Sequence, residues 1–148
     1  MATKCIVKCS SCQTPAIDDT LFATLLRIAD DPTAKCKCGG TRTISLAFDF
    51  GLGATDKVSD IEAVFHPRPL ESWQDKDGSK VTFFPFLVVL KRTGRHSAIW
   101  MPYWHIVESE DGKKKQKYGQ WAPYMDASLF ESMLQQARQA GFLTDTGS

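Results

Sequence analysis

Four cysteines in two close pairs carry the clearest chemistry in this chain: Cys9-Ser10-Ser11-Cys12 and Cys36-Lys37-Cys38. Thiolates are soft donors, and two short Cys-turn-Cys loops can each offer two of them to the tetrahedron that zinc prefers. Gly39 and Gly40 follow the second pair, where a chain must turn tightly beside an ion. Lys8, Lys35 and Lys37 would offset part of the charge of a four-thiolate site. Four cysteines close the coordination shell and leave no position for water, so the expected role is structural. The His-x-Glu of the zinc deaminases is absent, and the histidine nearest the cysteines is His66. Cys5 either replaces one of the four ligands or is a small buried hydrophobe. Against the metal stands the reading of buried free thiols or a redox pair.

Residues 1–42 resemble a zinc ribbon or a rubredoxin-like pair of knuckles, with the second loop shortened to Cys-x-Cys and a helix filling the spacer. The resemblance implies a structural Zn2+ on Cys9, Cys12, Cys36 and Cys38, and it covers under a third of the chain. The odd count of five cysteines argues against a closed disulfide framework. The first residues lack the apolar stretch of a signal peptide, and no apolar run approaches a membrane span. A reducing, cytoplasmic setting is therefore expected, with no membrane partner.

A second constellation is acid–base in type. His66 and His105 could meet across a sheet near Asp49 or Glu62. The competing reading is a pair of hydrogen-bonded histidines among aromatics. No Gly-x-Ser-x-Gly, His-Glu-x-x-His or phosphate-binding glycine loop is present, so an enzyme reading has a candidate site but no reaction class.

Phe83-Phe84-Pro85-Phe86, Trp100-Met101-Pro102-Tyr103-Trp104 and Trp121-Ala122-Pro123-Tyr124 share one grammar, a proline set between large apolar side chains. Strand alternation puts Trp100, Pro102, Trp104 and Ile106 on one face and Met101, Tyr103, His105 and Val107 on the other. Such a strand is either sandwiched in a core or presents one face as an aromatic platform. Aromatics beside basic side chains can stack on unpaired bases. Trp104 and Tyr118 would supply stacking, with Arg92, Arg95, Lys113, Lys114, Lys115 and Lys117 against phosphates. The lysine run also reads as a solvated hairpin that discourages edge pairing. The net charge of +1 over 148 residues marks no global affinity for polyanions. Its distribution is uneven, with seven basic and ten acidic residues in 46–112 between two mildly basic ends.

The elements that must position these groups follow from periodicity. Leu21, Phe22, Leu25, Leu26, Ile28 and Ala29 recur at helical spacing after N-cap candidates Asp18, Asp19 and Thr20, and Pro32 ends the run. A short strand is expected at Lys4–Lys8. Further strands are expected at 43–50, around 61–73, at 81–90 and 98–107, and near 115–121, with hairpin signals at Asp77-Gly78, Arg92–Arg95 and Asp111-Gly112. Ser128 and Glu131 form a candidate capping box for a last helix whose stripe is Leu129, Phe130, Met133, Leu134 and Ala137, with Gly141 as its C-terminal cap. The hydrophobic content of 43% suffices for a packed core. The expected fold is α+β: a zinc-binding module at 1–42, an antiparallel meander of about five strands with a C-terminal helix at 43–143, and a frayed tail at 144–148.

Three functions fit. The first is a zinc-containing, nucleic-acid-associated binding protein using the basic turns and aromatic strands. The second is an adaptor or accessory subunit of a protein complex with a structural zinc. The third is an enzyme built on His66 and His105.

Overall fold

The computed structural model describes residues 4–13, 20–31, 38–48, 55–92, 94, 96–119 and 123–143, and of residues 4–6, 45–48 and 55–59 the backbone alone. The expected tail at 144–148 lies outside the described residues.

The protein is α+β, with two helices and ten strands among the described residues. The elements are β1 (Lys4–Cys9), α1 (Leu21–Asp30), β2 (Arg42–Phe48), β3 (Thr55–Phe65), β4 (Glu71–Gln74), β5 (Lys80–Pro85), β6 (Leu87–Lys91), β7 (Ala98–Trp100), β8 (Tyr103–Glu108), β9 (Lys114–Tyr118), β10 (Tyr124–Asp126) and α2 (Ala127–Gln139). They form a six-stranded sheet, β1-β2-β3-β6-β7-β10, and a four-stranded sheet, β4-β5-β8-β9; every pairing is antiparallel.

Strands β2 to β10 are the five strands of the expected meander, four of them broken in two, and β1 joins the same sheet beside β2. Four successive strand pairs (β3/β4, β5/β6, β7/β8 and β9/β10) leave one sheet and enter the other, and prolines stand at all four crossings. Pro67 and Pro69 separate β3 from β4, Pro85 ends β5, Pro102 separates β7 from β8, and Pro123 precedes β10. Proline has no N–H for a ladder and holds φ near its own ring value, so a strand is easily broken there. The ladder is stitched across the break by the carbonyls: Pro102 O accepts from Phe86 N at 2.9 Å, and Pro123 O accepts from Met101 N at 2.9 Å. The shared grammar of the aromatic–proline clusters is thus the line along which the meander bends into two sheets.

Inside the bend lies the core. The six-stranded sheet contributes Ile44, Ile61, Val64, Val88, Leu90, Ala98 and Trp100, and the four-stranded sheet contributes Phe84 and Trp104. Helix α1 closes it. Thr20 caps the helix, its Oγ1 accepting from Ala23 N at 3.1 Å, which satisfies one of the first-turn donors. Helical spacing then turns Phe22 and Leu25 inward, and the Phe22 ring meets Phe84, Phe86 and Trp104 edge-on at 5.0–5.7 Å. Strand β1 pairs with β2 along its whole length, and Val7 joins the same core.

Asp77-Gly78 and Asp111-Gly112 turn as expected, with φ of +84° and +82° at the glycines. In the second turn Asp111 Oδ1 also accepts from Lys113 N at 3.1 Å. Helix α2 lies against β7 and β10 and has no fully buried residue. Its cap is Asp126 rather than the expected Ser128, because the Asp126 carboxylate accepts from Ser128 N at 2.8 Å while also pairing with Arg92. Hydrogen bonds from the Ser128 hydroxyl and backbone, with the Arg92 guanidinium beside them, pull the Asp126 carboxyl down to about 2. A depressed carboxyl stabilises the fold above its unfolded value, and that contribution is lost as pH falls through the folded one. The difference in thermal midpoint between wild type and Asp126→Asn should therefore be full at pH 5 and shrink as pH falls from about 4 toward 2.

Candidate functional site

Two places gather side chains that can do something. The first is at the end of β1. Cys9 is the strand's last residue and is fully buried, while Cys12 and Cys38 are exposed. The three sulfurs lie within 4.8 Å of one another, close enough to share a metal ion, and Cys9 Sγ is 3.4 Å from Cys38 Sγ. The turn that brings Cys12 back closes with Gln13 N donating to Cys9 O at 3.2 Å, and Gln13 takes φ of +60°. Gly39, directly after Cys38, takes φ of +85°.

The donor set suits a thiophilic ion. Ser11 N points at Cys9 Sγ at 3.4 Å, and the backbone amides of Cys12 and Ser11 hold the Cys9 thiol below its ordinary range against the opposing effect of burial. Amides aimed at a sulfur favour the thiolate, the form that binds metal. Gly40 is fitted to the site, since a Cβ there would stand 2.7 Å from Cys9 Sγ and 2.8 Å from Ser11 Oγ. Cys36 lies outside the described residues, and so does the side chain of Cys5.

The second place is the outer face of the four-stranded sheet. Register sets Trp73 beside Val81, Phe83 beside His105, and His105 beside Lys117, with Val107 beside Lys115. Alternation sends all of these to one face. Four rings run together there: Trp73 to His105 at 6.1 Å, His105 to Phe83 at 5.5 Å, and Tyr103 to Phe83 and His105 at 5.7 and 5.9 Å. Trp73 is 42% exposed, the other three rings are half-buried, and Lys115 and Lys117 are exposed at their flank. Gly119 is buried under Tyr103, and a Cβ on it would meet that ring at 2.1 Å. The helices lie elsewhere, α1 against β1 and β3 and α2 against β7 and β10.

The structure moves several expected site residues. Trp104 is 5% exposed and Tyr118 packs on it at 5.0 Å, both on the inner face, so neither joins the exposed rings. Arg92 is committed to Asp126 and to His96 O, which it reaches at 2.8 Å. The lysine run is split by alternation: Lys115 and Lys117 lie outside, Lys114 lines the inner side, and Lys113 stays in the turn 3.8 Å from Asp111. Arg95 and Asp49 lie outside the described residues.

His66 and His105 are not brought together. His66 touches Phe84 and Phe86 on the core side, where its Nε2 lies 3.6 Å from Asp30, while His105 touches Phe83 on the outer side. The ladder of β5 stands between them. Glu62 accepts instead from Ser97 Oγ at 3.1 Å. Trp73, Phe83 and Tyr103 were not singled out as site residues in the sequence. Asp77-Gly78 marks the hairpin but not its register. The loop is the three residues Lys76-Asp77-Gly78, closed by Asp75 N donating to Ser79 O at 2.8 Å. It sets Trp73 opposite Val81 and so beside Phe83, where a two-residue loop would have set it opposite Thr82.

No described helix is long and apolar enough to cross a membrane. No family model, curated protein or solved structure matches the chain.

Proposed function

We propose that this is a zinc-containing protein that binds single-stranded nucleic acid across the outer face of its four-stranded sheet. The observation that carries the reading is the run of Trp73, His105, Phe83 and Tyr103, flanked by Lys115 and Lys117. Rings standing on a sheet offer π-faces to unpaired bases whatever their identity, and lysines on the edge strand reach the phosphates. Strand β9 is such an edge. A zinc ion on Cys9, Cys12 and Cys38, with Cys36 as fourth ligand, has a structural part in this reading. It ties the end of β1 to the loop entering β2.

Photocrosslinking tests the site. A 5-bromouracil-containing single strand should give adducts on peptides carrying Trp73 or Tyr103. Adducts found only on peptides outside the four-stranded sheet would sink the proposal.

A second reading, an accessory subunit of a protein complex, is favoured by one feature. Leu129, Met133 and Phe142 are 60%, 51% and 84% exposed on and just after α2. Leu129 and Met133, one turn apart on the same face of α2, make a small exposed apolar stripe of the kind found at contact sites.

A further inference from the structure

The inner face of the four-stranded sheet is not filled by the core along its whole length. Beyond Phe84 and Trp104 it opens into a cavity of about 430 Å³ between the sheet and α1. That volume lies in the range of small-molecule sites. We propose that this groove binds a small amphipathic anion, with an aromatic or short aliphatic body and one acidic head.

Cross-strand register grades the groove from charged to apolar. Its outermost row is Lys80, Glu108 and Lys114, directly opposite one another on β5, β8 and β9. The next row is Thr82, Ile106 and Gln116. Past these the walls are apolar: Phe22 and Leu26 from α1, Leu70 before β4, and Phe84 on the floor. A ligand entering body-first would cover the apolar walls and leave its head at the lysines.

Charge selects the sign of that head. The outer row holds two ammonium groups and one carboxylate, a net positive charge at the mouth. Neither lysine has an ion-pair partner within 4.0 Å among the described residues. An anion can therefore accept from them without displacing an existing pair, while Thr82 and Gln116 add neutral hydrogen-bonding groups one row deeper. A cation would meet two like charges for one opposite.

The groove lies on the face opposite the exposed rings, so this inference stands independently of nucleic-acid binding. The test uses two dyes of closely similar ring structure on the metal-loaded full chain. 8-Anilinonaphthalene-1-sulfonate carries the acidic head, and N-phenyl-1-naphthylamine lacks it. The sulfonate should saturate at one per chain and bind about tenfold tighter than the neutral dye, the gain one charge-assisted hydrogen bond supplies. The double substitution Lys80→Gln/Lys114→Gln should erase that difference. Leu26→Trp, or Ile106→Phe from the sheet side, should fill the groove and abolish binding of both dyes while oligonucleotide affinity is unchanged. Equal affinity of the wild type for the two dyes would overturn the proposal, as would sulfonate binding that survives both filling substitutions.

Discussion

Chelation of the metal is expected to release β1 and the start of β2 before the rest of the protein unfolds. Structural zinc sites contribute roughly 10–16 kcal/mol of apparent binding energy in small modules, and that energy is folding energy wherever the site does not survive without the ion. Here Cys9 is fully buried at the end of β1, directly opposite Arg42, the first residue of β2. With the ion gone, nothing would tie Cys9 Sγ to Cys38 Sγ, 3.4 Å away, while the amides of Cys12 and Ser11 still favour the thiolate form of the buried Cys9. The strand pairing above them, Lys4–Cys9 against Arg42–Ala47, loses the clasp at its end. Hydrogen exchange should quicken first in β1 and β2, then in α1, which lies against β1 and β3. Cys9→Ser should reproduce the effect in the presence of zinc, since it removes the buried thiolate and puts a hydroxyl, a far poorer zinc ligand, in its place. Unchanged protection of β1 after complete removal of zinc would count against a structural metal.

Loss of Trp73 should weaken single-stranded binding by about five- to 150-fold. Alanine substitution of a stacking ring costs about 1–3 kcal/mol per base, and each 1.4 kcal/mol is tenfold. Trp73 is the most informative ring to remove because it lies on the edge strand β4 and is 42% exposed, so the fold loses little with it. Tyr103 is less clean, being packed over Gly119. Trp104→Ala provides the contrast. That ring is buried in the core, and its removal should cost stability, about 3–5 kcal/mol, through a route unrelated to ligand contact. Thermal melts beside anisotropy titrations separate the two. If Trp73→Ala binds as tightly as wild type, the outer face is not a stacking surface.

Much of this could be read in the sequence, for identifiable reasons. The helices were legible because their stripes and caps are local: Thr20 before Leu21, and Gly141 after the last turn. Two hairpins were legible because Asp-Gly has few alternatives. Three members of the cysteine cluster, Cys9, Cys12 and Cys38, were legible because two close Cys pairs in one short segment mark each other out, while Cys36 lies outside the described residues. The division into two sheets was not. Pro85 and Pro102 mark irregularities in two strands, but that they stand side by side depends on register between distant segments. The face occupied by each aromatic was hidden for the same reason. Trp104 and Tyr103 are neighbours in a strand apolar on both sides, and alternation separates them without saying which faces solvent. Only the position of α1, whose Phe22 meets Trp104, decides that Trp104 is inside and Tyr103 outside. Arg92 was misread because its partner, Asp126, is a strand away in space and 34 residues away in sequence.

The most direct measurement of the central claim is a salt-resolved titration of the metal-loaded protein with oligo(dT), oligo(U) and a duplex of mixed sequence. Binding through bases and a lysine-lined edge predicts preference for either single strand over the duplex. It also predicts a linear fall of log affinity with log salt, whose slope drops by about 0.7 for each of Lys115→Gln and Lys117→Gln. Equal binding of duplex and single strand, or no binding to any of them at low salt, would contradict the account.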